Sequence, residues 1–212
     1  MNKSGIIFDM DGTLWDSSAG VAGSWTEVVA REYSKDKVIT AEKIQSVMGL
    51  TMDKLAEKVF PELFPERRME LLAMCCEAEN NYLAKHGGIL YPEVESTLIK
   101  LKEKYELFIV SNCQSGYIEA FLEYYGFGKY FTDIECYGNN NLKKGDNIKL
   151  VVSRNHLDKA VYVGDIEGDY IASTEAGIGF IHASYGFGRI SEEVPVIKNF
   201  AELPEVTKSV LG

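Results

Sequence analysis

Short apolar runs alternate with amphipathic stretches through most of this chain. Gly5–Phe8, Leu107–Val110, Ala160–Val163 and Gly179–Ala183 read as buried strands, with a weaker one near Asp133–Tyr137. Between them, Val94–Lys104, Tyr117–Tyr125, Asn147–Asn155 and roughly 169–176 carry helical periodicity. Buried strands alternating with amphipathic helices predict the α/β class: a parallel sheet covered on both faces.

The alternation breaks between about Asp16 and Gly88. That stretch reads as successive helices over Ala19–Tyr33, Ala41–Val47, Met52–Val59 and Glu66–Lys85, with no convincing strand. An all-helical insertion directly after the first strand predicts two domains: residues 1–15 with 89–212 as the core, and 16–88 as a cap. His86-Gly87-Gly88 followed by Tyr91-Pro92 reads as the hinge and stop where the chain returns.

A chain of 212 residues holds one good core plus a small second domain. Its formal charge of −10 disfavours nucleic acid and anionic membranes as partners, so an anionic ligand needs a local positive site. No apolar run approaches the length of a membrane span and no leader precedes the first strand. Cys75, Cys76, Cys113 and Cys136 lack zinc spacing, and the adjacent pair cannot readily bridge to itself. Reduced thiols in a cytoplasmic protein are the expectation.

The chemistry concentrates where strands end. Gly5-Ile6-Ile7-Phe8-Asp9-Met10-Asp11-Gly12 closes an apolar run with two acids one residue apart. In extended backbone such residues face one side, and two adjacent carboxylates repel unless a cation joins them. The pair suits a magnesium-assisted nucleophile beside an acid/base partner. Asp-Gly is also ordinary turn chemistry. Ser111 and Asp165 likewise follow apolar runs, and in parallel sheets such positions meet at the carboxyl edge of the strands.

The longer string Phe8-Asp9-Met10-Asp11-Gly12-Thr13-Leu14 resembles the first signature of the haloacid dehalogenase superfamily in its phosphatase branch. Phe108-Ile109-Val110-Ser111-Asn112 resembles the second, and Val163-Gly164-Asp165 through Asp169 the fourth. The third is a single lysine. Lys143 and Lys144 both precede the predicted helix, and the local pattern favours Lys144. Ser184-Tyr185-Gly186-Phe187-Gly188 resembles the glycine-aromatic tail of phosphoglycolate phosphatase-like members.

The resemblance covers nearly the whole chain. It implies a Rossmann-like core with a helical cap, and Asp9 as a nucleophile that becomes an aspartyl-phosphate. It implies Asp11 as general acid/base, and Ser111 and Lys144 as phosphate ligands. Asn112, Gly12 and Thr13 are the further expected substrate contacts. Asp9, Asp11, Asp165 and Asp169 form the expected Mg²⁺ set, Asp165 binding directly and Asp169 supporting the metal or its waters. At an effective dielectric of ~20, two like charges about 4 Å apart cost ~4 kcal/mol, so several carboxylates meeting a phosphate dianion need a divalent cation and a lysine.

The implied function is hydrolysis of a small phosphomonoester. Glycolate phosphate comes first by resemblance, with sugar phosphates, nucleoside monophosphates and pyrophosphate open. The alternatives are a β-phosphoglucomutase-type transfer and a non-catalytic regulatory protein on the same fold. Monomer and homodimer are equally compatible with the sequence. His86, His156 and His182 lack paired-ligand spacing, and Cys113 sits near a site whose nucleophile is already assigned. Trp15 and Asp16 either touch substrate or pack the hinge. Trp25 and Tyr33, eight apart on one predicted helix, read as cap core. Met48-Gly49-Leu50-Thr51 breaks two helices, and in this family such a loop often faces the substrate. It carries no basic residue that declares a leaving group.

Overall fold

The computed structural model describes residues 3–212. Six parallel strands are ordered β5-β4-β1-β6-β7-β8. In space they run Asp133–Cys136 (β5), Glu106–Ser111 (β4), Ser4–Phe8 (β1), Lys159–Gly164 (β6), Gly179–Ala183 (β7) and Val196–Ile197 (β8). Alternation along β1 divides the core. Ile6 and Phe8 join one apolar cluster, whereas Ile7 packs with Phe108, Val110 and Tyr162 in the other. The Ile7 face is covered by Lys144–Arg154 (α8) and Glu167–Ala176 (α9), which supply Ile148, Val151 and Ala172. The opposite face takes Leu98 and Leu101 from Val94–Lys102 (α5) and Leu203 and Leu211 from Leu203–Leu211 (α10). This is the two-sided α/β architecture that the alternation predicts.

Between β1 and the rest of the sheet stand four helices: Ser18–Glu32 (α1), Ala41–Gln45 (α2), Met52–Val59 (α3) and Pro65–His86 (α4). The chain enters this stretch through Trp15–Asp16 (β2) and leaves it through Ile89–Leu90 (β3), and the two pair antiparallel. Trp15 is fully buried against Tyr117, Phe121 and Tyr125, so it packs this crossing point. Asp16 accepts a hydrogen bond from the Ser18 backbone N–H and another from Gln45, tying the first two helices to the entry strand. The remaining helices are Tyr117–Tyr125 (α6), which follows β4, and the short Tyr137–Asn140 (α7).

Five details differ from the sequence expectation. β2, β3 and β8 are two-residue strands, too short to carry a period, and α10 opens at a Leu-Pro pair that the strand-helix alternation did not extend to. The fifth strand stops at Cys136 because Tyr137 starts a helix. α8 begins at Lys144, three residues early. Gly145, inside its first turn, lets α8 press on α9, where a Cβ would come within 3.1 Å of the Ala172 carbonyl. Tyr33 is not cap core: it lies just past the end of α1, is 39% exposed and bonds Glu62 through its hydroxyl.

Candidate active site

β1, β4 and β6 deliver their last residues to one edge, at the position where strand order reverses around β1. Asp9 follows β1, Ser111 ends β4, and Asp165 follows β6. Lys144, at the start of α8, reaches the same place. Its Nζ is 3.0 Å from Asp9 Oδ1 and 2.6 Å from Asp169 Oδ1, with all three residues buried. Burial alone would depress this amine, but the Asp169 and Asp9 carboxylates outweigh it and hold the lysine protonated. Lys143, the other candidate, is exposed and lies outside this cluster.

Asp169 is bound on both sides. Its second oxygen accepts the Asp165 and Ile166 backbone N–H groups at 3.1 and 3.2 Å, capping α9. Gly164 serves this arrangement through space, not through a special turn, because a Cβ there would overlap the Asp169 carboxylate. Asp165 Oδ2 accepts the Phe187 N–H at 2.7 Å, whereas Oδ1 is buried with no partner. Carboxylate oxygens of Asp9, Asp165 and Asp169 lie within 4.8 Å of one another. Burial, and then their mutual repulsion, push the Asp9 and Asp165 carboxyls well above the ordinary range. Hard oxygen donors, excess negative charge and an orphaned carboxylate oxygen are the donor chemistry of a magnesium-type cation. These residues fit one.

Asp11 stands apart from that cluster. The backbone leaves the extended conformation after β1 and turns between Met10 and Trp15, with Leu14 N donating to the Met10 carbonyl at 2.8 Å. Asp11 Oδ1 consequently accepts from Ser17 Oγ and Tyr117 Oη, each at 2.7 Å. Burial raises this carboxyl to about 6, with the two hydroxyl donors opposing the rise. Gly12 occupies φ +81°, and a Cβ there would collide with Asp165, so the turn admits no side chain. Thr13 is fully buried with its hydroxyl unpaired, and its carbonyl accepts from Tyr185 at 2.8 Å. The 184–188 loop thus closes over the site, and Gly186 is pressed between Asp165 and the Gly12 carbonyl.

A small cavity of about 50 Å³ opens beside Asp11, Ser111 and Asn112. Its far wall comes from α1 to α4 and includes the Met48-Gly49-Leu50 loop. Asn112 donates to the Gly49 carbonyl at 2.8 Å, which joins the β4 loop to that wall. Trp25 does pack as expected, stacked on Phe60, but its indole N–H also donates to the buried Glu79 at 2.6 Å. Glu79 is pushed up to about 8 by burial, against the Trp25 hydrogen bond. Ser17, Tyr117 and Glu79 were not singled out in the sequence for a role here. They lie on separate elements, and only the tertiary fold brings them to the site. The three histidines lie outside the carboxylate cluster, and none lines the cavity among the described residues.

The family model of haloacid dehalogenase-like hydrolases matches residues 6–183. The chain belongs to that family and is an enzyme of its phosphatase type. Among curated proteins, the phosphoglycolate phosphatase of Yersinia pseudotuberculosis is 27% identical over 213 residues, covering 94% of this chain and 90% of the relative. That of Vibrio parahaemolyticus is 28% identical over 218 residues, covering 95% and 94%. A haloacid dehalogenase-like hydrolase of Streptococcus pneumoniae superposes with a TM-score of 0.83 at 20% identity, covering 97% of this chain and 98% of that one. That last likeness speaks for the fold. No helix among the described residues is long and apolar enough to cross a membrane.

Proposed function

We propose that the chain is a magnesium-dependent phosphatase of a small phosphomonoester, acting through an aspartyl-phosphate on Asp9. One observation carries the reading: Lys144 bridges Asp9 and Asp169 in a buried cluster whose third acid, Asp165, keeps an unpaired oxygen. Asp9 and Asp165 would hold the cation, with Asp169 fixing Lys144 and the Asp165 backbone behind them. Magnesium there supplies charge neutralisation and orientation for the transferring phosphoryl group.

The chain's own residues do the rest. An Asp9 carboxylate oxygen forms a bond to phosphorus as the bond to the leaving oxygen breaks. Asp11 gives its proton to that oxygen, and the alcohol departs. Asp11, now ionised, takes a proton from water, and the water oxygen displaces Asp9 to release inorganic phosphate. Ser111, Asn112 and Lys144 bind the phosphoryl oxygens, and Gly12 and Thr13 complete the turn around them. The helical stretch 16–88 acts as the cap that excludes bulk water. The names of the relatives make glycolate phosphate the first compound to try. The four free, buried cysteines agree with a reducing cytoplasm.

The test is phosphate release from a panel of phosphomonoesters, with Mg²⁺ or EDTA, for the wild type and Asp9→Asn. Metal-dependent release that disappears in the folded variant is the expected result. Undiminished release by Asp9→Asn would remove the covalent mechanism.

A further inference from the structure

Tyr162 carries a hydroxyl into an apolar layer directly beneath the site. It is fully buried on β6 and packs with Ile7, Phe108 and Ile148 on the face that α8 and α9 cover. A phenylalanine would fill the same space with no polar atom to satisfy. A buried hydroxyl is costly unless it is bonded, so its partner shows what the group holds. That partner is the Val110 carbonyl, at 2.7 Å. β1 lies between β6 and β4, so the contact crosses the strand from which Asp9 emerges. Val110 is the residue before Ser111.

The ring of the same side chain meets the lysine. Lys144 Nζ stands 5.7 Å from the Tyr162 ring centroid, within cation–π range, and donates to Asp9 at 3.0 Å. β6 adds a backbone contact, since the Val163 carbonyl accepts the Asp9 N–H at 2.9 Å. Burial, and then the Asp9 charge, hold the Tyr162 hydroxyl well above its ordinary pKa, so it stays a neutral donor. One stiff ring therefore touches both arms of the phosphate clamp: the end of β4 that carries Ser111 and the start of α8 that carries Lys144. A phosphoryl group in transfer spreads charge over its equatorial oxygens, so the spacing of such arms matters more then than in the resting ester.

We propose that Tyr162 is a positioning residue: its hydroxyl on the Val110 carbonyl and its ring beneath Lys144 fix the distance between Ser111 and Lys144 on either side of Asp9. The proposal rests on the phosphatase reading and adds to it a residue that never touches substrate.

Tyr162→Phe keeps the ring and removes the bond to Val110. With the best ester of the panel and saturating Mg²⁺, kcat should fall about tenfold or more while KM stays within about threefold. Calorimetry supplies a reading independent of turnover. Five-coordinate orthovanadate mimics the transfer geometry, and inorganic phosphate does not. In Mg²⁺ the variant should bind vanadate about tenfold more weakly and phosphate less than about threefold more weakly. Val151→Ala trims the same apolar layer without touching the hydroxyl, so it should lower stability and leave the ratio of the two affinities unchanged. Wild-type kcat in Tyr162→Phe overturns the inference. Equal losses of vanadate and phosphate affinity overturn it too, because general loosening of the layer would produce them. Loss of folding in Tyr162→Phe would mark the hydroxyl as structural, with the same consequence. Each of these results leaves the phosphatase reading standing, whereas no release from any ester by folded wild-type protein overturns that reading and the inference with it.

Discussion

Tyr117 donates a 2.7 Å hydrogen bond to Asp11 across 106 residues of chain, joining the start of α6 to the turn after β1. Ser17 touches both oxygens, 2.7 Å from Asp11 and 2.8 Å from Tyr117. Two hydroxyls therefore hold one carboxylate oxygen, which fixes the direction in which the other is presented. Hydrogen bonds to a charged group contribute about 1.5–3 kcal/mol each. Tyr117→Phe keeps the ring packed against Trp15 and removes only the donor. A fall in kcat of about tenfold or more, with KM changing less, is expected from steady-state kinetics. Equal kcat in the variant would show that Asp11 needs no such positioning.

Lys144 and Lys143 offer an internal comparison. Replacing Lys144 with Met strands the buried Asp9 and Asp169 carboxylates without their cation. Breaking one side of a buried ion pair costs about 3–5 kcal/mol, which denaturant unfolding would register in the metal-free protein. Lys143→Ala, one residue away but exposed, should stay within about 0.5 kcal/mol of wild type.

The unpaired oxygen of Asp165 gives metal binding a readout independent of turnover. Mg²⁺ at about a hundred times its dissociation constant should stabilise the wild type by about 2.7 kcal/mol, visible as a rise in melting temperature that EDTA reverses. Asp165→Asn weakens the donor set and removes much of the repulsion, so the variant should melt higher without metal and gain less from it. An equal Mg²⁺ shift in both proteins would locate the ion elsewhere.

Gly186 is held between Asp165 and the Gly12 carbonyl, with no room for a methyl group. One of those neighbours is backbone in a turn that itself needs φ +81°. Gly186→Ala must push the 184–188 loop outward and loosen the Phe187 N–H bond to Asp165. Overpacking costs about 1–3 kcal/mol, and calorimetric Mg²⁺ affinity should fall alongside stability.

How far the chain could be read in advance follows from what each feature depends on. β1, β4 and β6 are buried runs whose Ile, Val, Phe and Tyr residues serve both faces, and such runs announce themselves locally. The acids at their tips inherit that legibility, because a strand end in a parallel sheet already specifies an edge. The lysine was narrowed to Lys143 or Lys144 by resemblance to the family's third signature, and no periodicity distinguishes two neighbouring residues. Tyr117, Ser17 and Glu79 were not legible. Each sits on a helix or beside one where Tyr, Ser and Glu are unremarkable, and their meaning lies in contacts spanning from six to more than a hundred residues. β2 and β3 failed for a simpler reason: two residues contain no periodicity, and only their antiparallel pairing makes them strands.

Glu79 makes the last prediction, one about pH and stability. Burial raises its carboxyl from the ordinary 4.5 to about 8 in the folded chain. Between those values the native state keeps a proton that the unfolded state has released. Stability contributed by the protonated group is therefore fully present below about pH 4.5, declines as pH rises, and is gone once pH passes about 8. The slope reaches at most about 1.4 kcal/mol per pH unit for one proton. Glu79→Gln has no proton to lose and keeps an amide oxygen for the Trp25 N–H. Urea unfolding at about pH 5, 6, 7 and 8 should therefore show the variant gaining on the wild type at each step. A constant difference across the series would mean that Glu79 titrates normally, and that its carboxylate is solvated or paired in the folded protein.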